Sequence, residues 1–379
     1  MRRGGESSRQ DEPLAFAQLL LNLLDEGRRT ATYKLAVLLA LIDCAAAGTD
    51  AAGRAREVIA TRDLARRVLE LYWPQVRDYP AASREDRVLR QSSQRRAVTA
   101  DAVRRLQAQT REAGGTTPYA AERLLPQAFA DTLDEIELNL VRMPLGKLQR
   151  PAGFTERGNA EYPRFLYDDT SFHERTTLLQ LRRQPLHVVL EPNVATWLVS
   201  LAGLLRPLLE LHWTREVARF NRQDVPEDDL RRFLFGSERE SLGSLRPGLL
   251  EAQAGRCFYC AARLPSRGIE IDHFVPWSRV PNDALANLVL ADSRCNNSKR
   301  DHYADLPLVA RWATRPYDVL RDVATETGWP LRLTESAGIA RGLYAQLPDG
   351  THLWQQPGVF TLLDRSRLSD VLPLLGGSP

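Results

Sequence analysis

Apolar residues recur at helical spacing through most of the first 236 positions, and the prolines and glycines between those stretches predict a bundle of helices. From Pro13 to Gly27 a proline stands where a helix can begin and a glycine where it can stop. Between them Leu14, Phe16, Leu19, Leu20, Leu23 and Leu24 form one face. The next helix, about Thr32 to Ala47, is apolar on most sides and so belongs at the centre of the bundle. Further helices fit Thr61 to Tyr72, Val98 to Glu112 and Ala130 to Leu140, and short strands fit Phe165 to Tyr167 and His187 to Leu190. A long helix opens at Pro192 and runs to about Asn221, with a kink expected at Pro207. His212 lies on it beside Trp213 and reads as a core or interface histidine. Pro226 begins another helical stretch, and Leu242 to Gln253 leads to Gly255, a hinge into a new unit.

Beyond that glycine the period changes. Ile269, Glu270, Ile271 and Asp272 alternate as a strand does, Leu288 to Leu290 form a second short strand, and Asp292 to Arg300 suit a helix that Asp292 or Ser293 can cap. The chain then returns to helix around Leu308 to Thr325, followed by mixed structure in which Trp329, Tyr344, Trp354 and Phe360 serve packing. The fold class expected is mainly α with one embedded ββα unit, α+β overall. The boundaries expected are a disordered tail at 1–13, a mostly helical region at 14–236 for recognition or partner binding, the ββα unit at 237–305, and a helical and mixed support region at 306–379.

Charge alters this picture little. The formal +3 is the difference between 51 basic and 48 acidic residues, so any surface that attracts nucleic acid must be local. The stretch from Ser83 to Arg96 is polar and arginine-rich, and reads as an exposed loop or a backbone-phosphate surface. Lys34, Lys147 and Lys299 are the only lysines in an otherwise arginine-based chain, which hints that an ammonium is wanted at 299. No apolar run approaches the roughly eighteen residues that cross a bilayer. The opening MRRGGESSRQDEP carries a twin arginine but acidic residues where an export segment would turn apolar, so a cytoplasmic protein with no membrane partner is expected. Cys44 lies on the apolar second helix as a core thiol, and the other three of the four cysteines cluster near the ββα segment, a pattern that favours metal binding in a reducing compartment.

The segment 257–302 reads CFYCAARLPSRGIEIDHFVPWSRVPNDALANLVLADSRCNNSKRDH. Asp272 and His273 end the first strand, Asn287 follows fourteen residues after His273, and Asn296 nine after that. This spacing in a ββα context resembles the HNH, or ββα-metal, endonucleases, including the HNH domain of RNA-guided CRISPR nucleases and of restriction-type proteins. The resemblance implies phosphodiester hydrolysis with DNA as partner, RNA being the alternative, and a catalytic Mg²⁺ or Mn²⁺. Hydrolysis needs an activated water, a base and positive charge to meet the charge developing on the phosphate. A hard cation that keeps most of its waters can be held by one carboxylate and one amide, here Asp272 and Asn296. His273 is then the general base, because an imidazole can take the water's proton near neutral pH. Asn287 ties the loop to the second strand and orients the histidine, as its counterpart does in the family. Lys299 and Arg300, one turn beyond Asn296, are candidates for phosphate contacts or for steadying the leaving group, and His302 either approaches the site or lies on the surface.

Many HNH domains carry two CxxC pairs around a structural zinc. Here Cys257, Cys260 and Cys295 are present and Asp292 stands where the fourth cysteine belongs, so a Cys₃Asp zinc site and a metal-free cysteine cluster are both open. The stretches TATYKLAVLLALID, ELYWPQ and FLFGSERESLGSLRPGLLEAQAGRCFYC resemble bacterial HNH proteins of restriction or anti-phage settings with helical N-terminal regions. That resemblance implies a defence role, with a further protein partner if the chain is a subunit of a larger, RNA-guided complex that is inactive alone. A non-catalytic zinc-supported binding module is the remaining alternative.

Overall fold

The computed structural model describes residues 13–25, 30–80, 87–94, 97–150, 162, 164–221, 226–236 and 239–376, and the expected tail at 1–13 lies almost wholly outside them. Its centre is helix α2 (Tyr33–Ala47), buried from Leu35 to Ala46 as its all-round apolar sequence requires. α1 (Pro13–Asp25), β1 (Val58–Ala60), α3 (Thr61–Tyr72), α4 (Val98–Glu112), α5 (Pro118–Leu124) and α6 (Pro126–Arg142) build the bundle with it. α6 starts earlier than its apolar spacing suggests because Pro126 sits at the first helical position.

Asp43 is the one charged side chain in the middle of α2. It is held by two guanidinium groups, Arg67 Nε at 2.7 Å and Arg206 Nη2. Both arginines reach further: Arg67 donates to the Pro281 carbonyl (2.9 Å) and Arg206 to the Arg279 carbonyl (3.0 Å). A carboxylate this deep is tolerable only when paired, and the pairing here ties the bundle to the loop after Asp272 and His273.

Four expectations need correction. β2 (His187–Val189) pairs antiparallel with β1, whereas Phe165 to Tyr167 forms no strand and contributes only a bridge between Tyr167 and Leu190. The amides of Phe165 and Leu166 are taken by Gln149 Oε1 (3.2 and 3.0 Å), so they cannot extend a ladder. The helix expected from Pro192 is two, α8 (Val194–Ser200) and α9 (Ala202–Asn221), bent by 79° at Leu201 while Pro207 stays inside α9. The Leu201 carbonyl starts the new helix by accepting Leu204 N and Leu205 N, both at 2.9 Å, and the bend lets both segments pack on α2. The middle of the arginine-rich stretch is no exposed loop: Leu89, Gln91 and Ser92 are buried, and Gln91 Oε1 accepts Trp213 Nε1 at 2.8 Å.

The fourth correction lies near the end of the chain. After the short helix α7 (Leu178–Arg183), α10 (Glu227–Phe235) and α11 (Arg246–Ala252), the chain forms β3 (Ile269–His273), β4 (Leu288–Asp292) and α12 (Ser293–Lys299). β3 and β4 are antiparallel, with Ile269 opposite Asp292 and His273 opposite Leu288. The helix expected at Leu308 to Thr325 is then split into α13 (Leu306–Ala313) and α14 (Tyr317–Thr327) by Pro316, which disfavours helical backbone before it. Arg315, freed there, donates to the carbonyls of Leu288 (3.0 Å) and Ala286 (2.5 Å). α15 (Leu333–Ala345) crosses α2, and a Cβ at Gly338 would lie 2.0 Å from the Ala47 carbonyl oxygen. The hairpin β5 (His352–Gln356) and β6 (Val359–Leu362) and helix α16 (Leu368–Val371) complete the described chain. No single helix among the described residues is long and apolar enough to cross a membrane.

Candidate active site and metal cluster

The end of β3 and the start of α12 face each other across a cleft of about 590 Å³ lined by Asp272, His273, Asn296 and Arg300. Strand pairing places Asp272 beside the helix, and its Oδ2 accepts from the Tyr259 hydroxyl and from Lys299 Nζ at 3.0 Å. Burial and the neighbouring carboxylate raise the Tyr259 hydroxyl well above its ordinary range, which keeps it a donor. Both bonds fall on the same oxygen, so Oδ1 is left for a cation. Asn296 is half-buried, and no protein group among the described residues engages its side-chain amide.

His273 Nε2 lies 2.7 Å from Asp283 Oδ1, and its ring sits 5.2 Å from that of Trp277. With the proton on Nε2 donated to Asp283, Nδ1 carries the lone pair that can accept another. Asn287 is fully buried and does not line the cleft. Its Oδ1 accepts Val275 N at 2.8 Å, and its Nδ2 donates to the carbonyls of Val275 (3.1 Å) and Asn282 (3.0 Å). These three bonds fold the loop that brings Asp283 to His273. Asn287→Ala should strand all three backbone groups and cost about 3 kcal/mol or more, read as a lower urea midpoint with unchanged slope; a loss under 1 kcal/mol would show that water replaces the amide.

Lys299 requires a correction. Its side chain is 0% exposed and Nζ bonds Asp272 and the His273 carbonyl oxygen (3.0 Å), so it braces the site from inside and cannot reach a phosphate. Arg300 is exposed, has a positive φ (46°) and lines the cleft, as does Arg246, which the sequence did not single out. His302 packs edge-on against Phe360 at 4.9 Å and His212 lies half-buried on α9; neither lines the cleft. Cys44 is buried and its thiol is pushed far above the ordinary range by burial.

Asp283, Trp277 and Tyr259 escaped the sequence reading. Asp283 lies ten positions after His273 in a polar turn with no periodicity, and only its type could have suggested a partner for an imidazole.

A second group lies at the start of α12. One ligand atom each from Cys257, Cys260, Asp292 and Cys295 fall within 4.8 Å of one another. Asp292 serves twice: Oδ1 caps α12 by accepting Cys295 N at 2.8 Å, and Oδ2 lies 3.3 Å from Cys260 Sγ. Burial opposes its charge, but the Cys295 N–H and the nearby thiols hold its carboxyl at about 2. Burial pushes the Cys257 thiol to about 11, a cost that a bound cation would reverse by stabilising the thiolate. Three sulfurs and one carboxylate oxygen gathered this closely could hold a metal such as zinc.

The strand–loop–strand–helix order, this cleft and these cysteines define an HNH-family region, and residues 257–304 match the family described as HNH endonuclease. The chain as a whole belongs to the family described as domain of unknown function (DUF8808), whose model matches residues 14–234, more than half its length. No curated protein and no solved structure matches the chain.

Proposed function

We propose that this protein is a metal-dependent endonuclease that hydrolyses DNA phosphodiester bonds at a single HNH centre. The reading rests above all on one arrangement: Asp272 Oδ1, the unengaged Asn296 amide and a His273 ring fixed by Asp283 meet in one cleft. Asp272 and Asn296 would hold Mg²⁺ or Mn²⁺, which supplies positive charge to a phosphate in the transition state. His273 Nδ1 takes the proton of the attacking water, while Asp283 steadies the imidazolium. Arg246 and Arg300 orient the strand through its backbone, which positions the bond without reading sequence. Target choice then falls to the helical region or to a partner, in keeping with a restriction or defence role.

Cleavage of plasmid, single-stranded DNA and single-stranded RNA with Mg²⁺ or Mn²⁺ tests the proposal. Metal-dependent cutting of DNA that EDTA abolishes is expected, and no cutting of any DNA by the full chain would overturn it. Asp283→Asn should lower kcat by about 100-fold with KM unchanged, because it alters how the base is held and not how the strand is bound. A rise in KM at constant kcat would remove Asp283 from that role.

A further inference from the structure

A pocket of about 140 Å³ lies where the helical bundle meets the ββα unit. Its walls include Trp73 and Tyr119 from the bundle, Phe235 from the end of α10, Trp277 from the loop after β3, and Trp329 from the segment after α14. Trp277 also lines the cleft of Asp272, His273 and Asn296, so pocket and cleft share a wall. Building on the nuclease reading above, we propose that this pocket receives a nucleobase, a planar ring turned out of a strand in the cleft or carried by a free nucleotide.

Size points to a single ring system. The volume is well below the roughly 300–1,000 Å³ of pockets that enclose drug-sized molecules. Wall chemistry points to a flat one, since aromatic faces stack on the π-face of any base.

Hydrogen bonding fits the edge of a base, which carries donors and acceptors together. Gln75, wholly buried in the pocket wall, gives Nε2 to the Leu234 carbonyl at 2.7 Å, and its Oε1 has no hydrogen-bond partner. Glu210, also in the lining, adds a carboxylate, and burial raises its carboxyl despite the bond from Arg231. The guanidinium groups nearby are engaged: Arg67 holds Asp43, Glu70 and the Pro281 carbonyl, and Arg206 holds Asp43 and the Arg279 carbonyl. The Tyr119 hydroxyl and the Trp277 indole N–H, also in the lining, are donors, so the pocket offers both acceptors and donors to the edge of a base. A phosphate would face the Glu210 and Asp283 carboxylates there, whereas the adjoining cleft presents Arg246 and Arg300.

Occupancy also reaches the reaction centre. Asp283 lines the pocket and bonds His273 Nε2, and the Trp277 ring lies 5.2 Å from that of His273. A base seated against Trp277 and Asp283 would steady both groups that orient the histidine. Extruding a base from a duplex costs a few kcal/mol and least where it is unpaired, so single-stranded or distorted DNA is the favoured substrate.

Full-length protein carrying His273→Ala, expected to bind with little cutting, serves for the test. One arm titrates adenosine, cytidine and thymidine against intrinsic tryptophan emission. The other titrates a single-stranded oligonucleotide with one 2-aminopurine and follows the probe's emission. Thr116, an exposed residue of the pocket lining, is changed to tryptophan to fill the space without disturbing the core, and Gln75→Met removes the orphaned acceptor. Saturable binding of nucleosides, weakened about tenfold by Thr116→Trp and Gln75→Met, supports the pocket with free bases as its source. A response of the oligonucleotide alone, weakened in the same way, supports it with the strand as the source. No response in either arm, or responses that Thr116→Trp leaves unchanged, overturns it. Because cutting is not read, failure of the nuclease reading would show separately as wild-type protein that binds bases and leaves DNA intact.

Discussion

His273→Ala should reduce DNA cleavage by about 10²–10⁴-fold while leaving DNA binding intact. The side chain is part-buried, its Nε2 is bound to Asp283, and its backbone carbonyl accepts Lys299 Nζ. Alanine keeps that backbone bond, so the strand end and the Asp272–Lys299 pair survive the substitution. What disappears is the nitrogen that accepts the water's proton, a group used only as the reaction proceeds. The loss should therefore fall on kcat, with KM and the affinity for uncut DNA close to wild type. Single-turnover cleavage at saturating Mg²⁺, beside binding measured in Ca²⁺, separates the two. Undiminished cleavage by His273→Ala would place the base elsewhere and dissolve the assignment of this cleft.

The second large effect is expected at the cysteines. Purified protein should carry one zinc per chain, and Cys257→Ser should lose it together with at least about 3 kcal/mol of stability. Zinc bound by small cysteine-containing peptides contributes on the order of 10 kcal/mol that the unfolded chain cannot recover. The ligands come from three separated places: the turn at Cys257 and Cys260, the end of β4 at Asp292, and α12 at Cys295. An ion joining them would fix the helix that presents Asn296, so chelation should lower cleavage even with Mg²⁺ in excess. Metal analysis and urea unfolding before and after chelation report both effects. Metal-free protein whose stability is indifferent to Cys257→Ser would mean that the cysteines only pack.

How far the sequence could be read depended on whether a residue's role was local. α2 declared itself because burial on all sides leaves no polar face to hide, and α3 and α4 because each repeats its apolar residues over three or more turns. The ββα order and Asp292 as cap were legible for the same reason: caps and strand alternation are properties of neighbours. The HNH signature placed Asp272, His273, Asn287 and Asn296 in one segment, and the fold brings three of them to the cleft and Asn287 beneath the loop. Lys299 was misjudged because its position on the helix is local while its burial depends on Tyr259 and Asp272, forty and twenty-seven residues upstream. The bend at Leu201 was invisible because it answers to packing on α2, whereas Pro207, the visible breaker, does not interrupt its helix. Asp283 sat in a turn with no periodicity to mark it, and the pocket walls lay beyond reach, being assembled from segments more than two hundred residues apart.

The grip of Arg67 and Arg206 on the carbonyls of Pro281 and Arg279 bears on how such a protein can be dismantled. A fragment beginning near residue 237 would keep every residue of the HNH signature and still lose two of the donors that shape the loop between His273 and Asp283. The nuclease segment is thus no portable cassette to be cut out and fused elsewhere. Its geometry is borrowed from a carboxylate in the second helix, and the two halves of the chain must be inherited, and engineered, together.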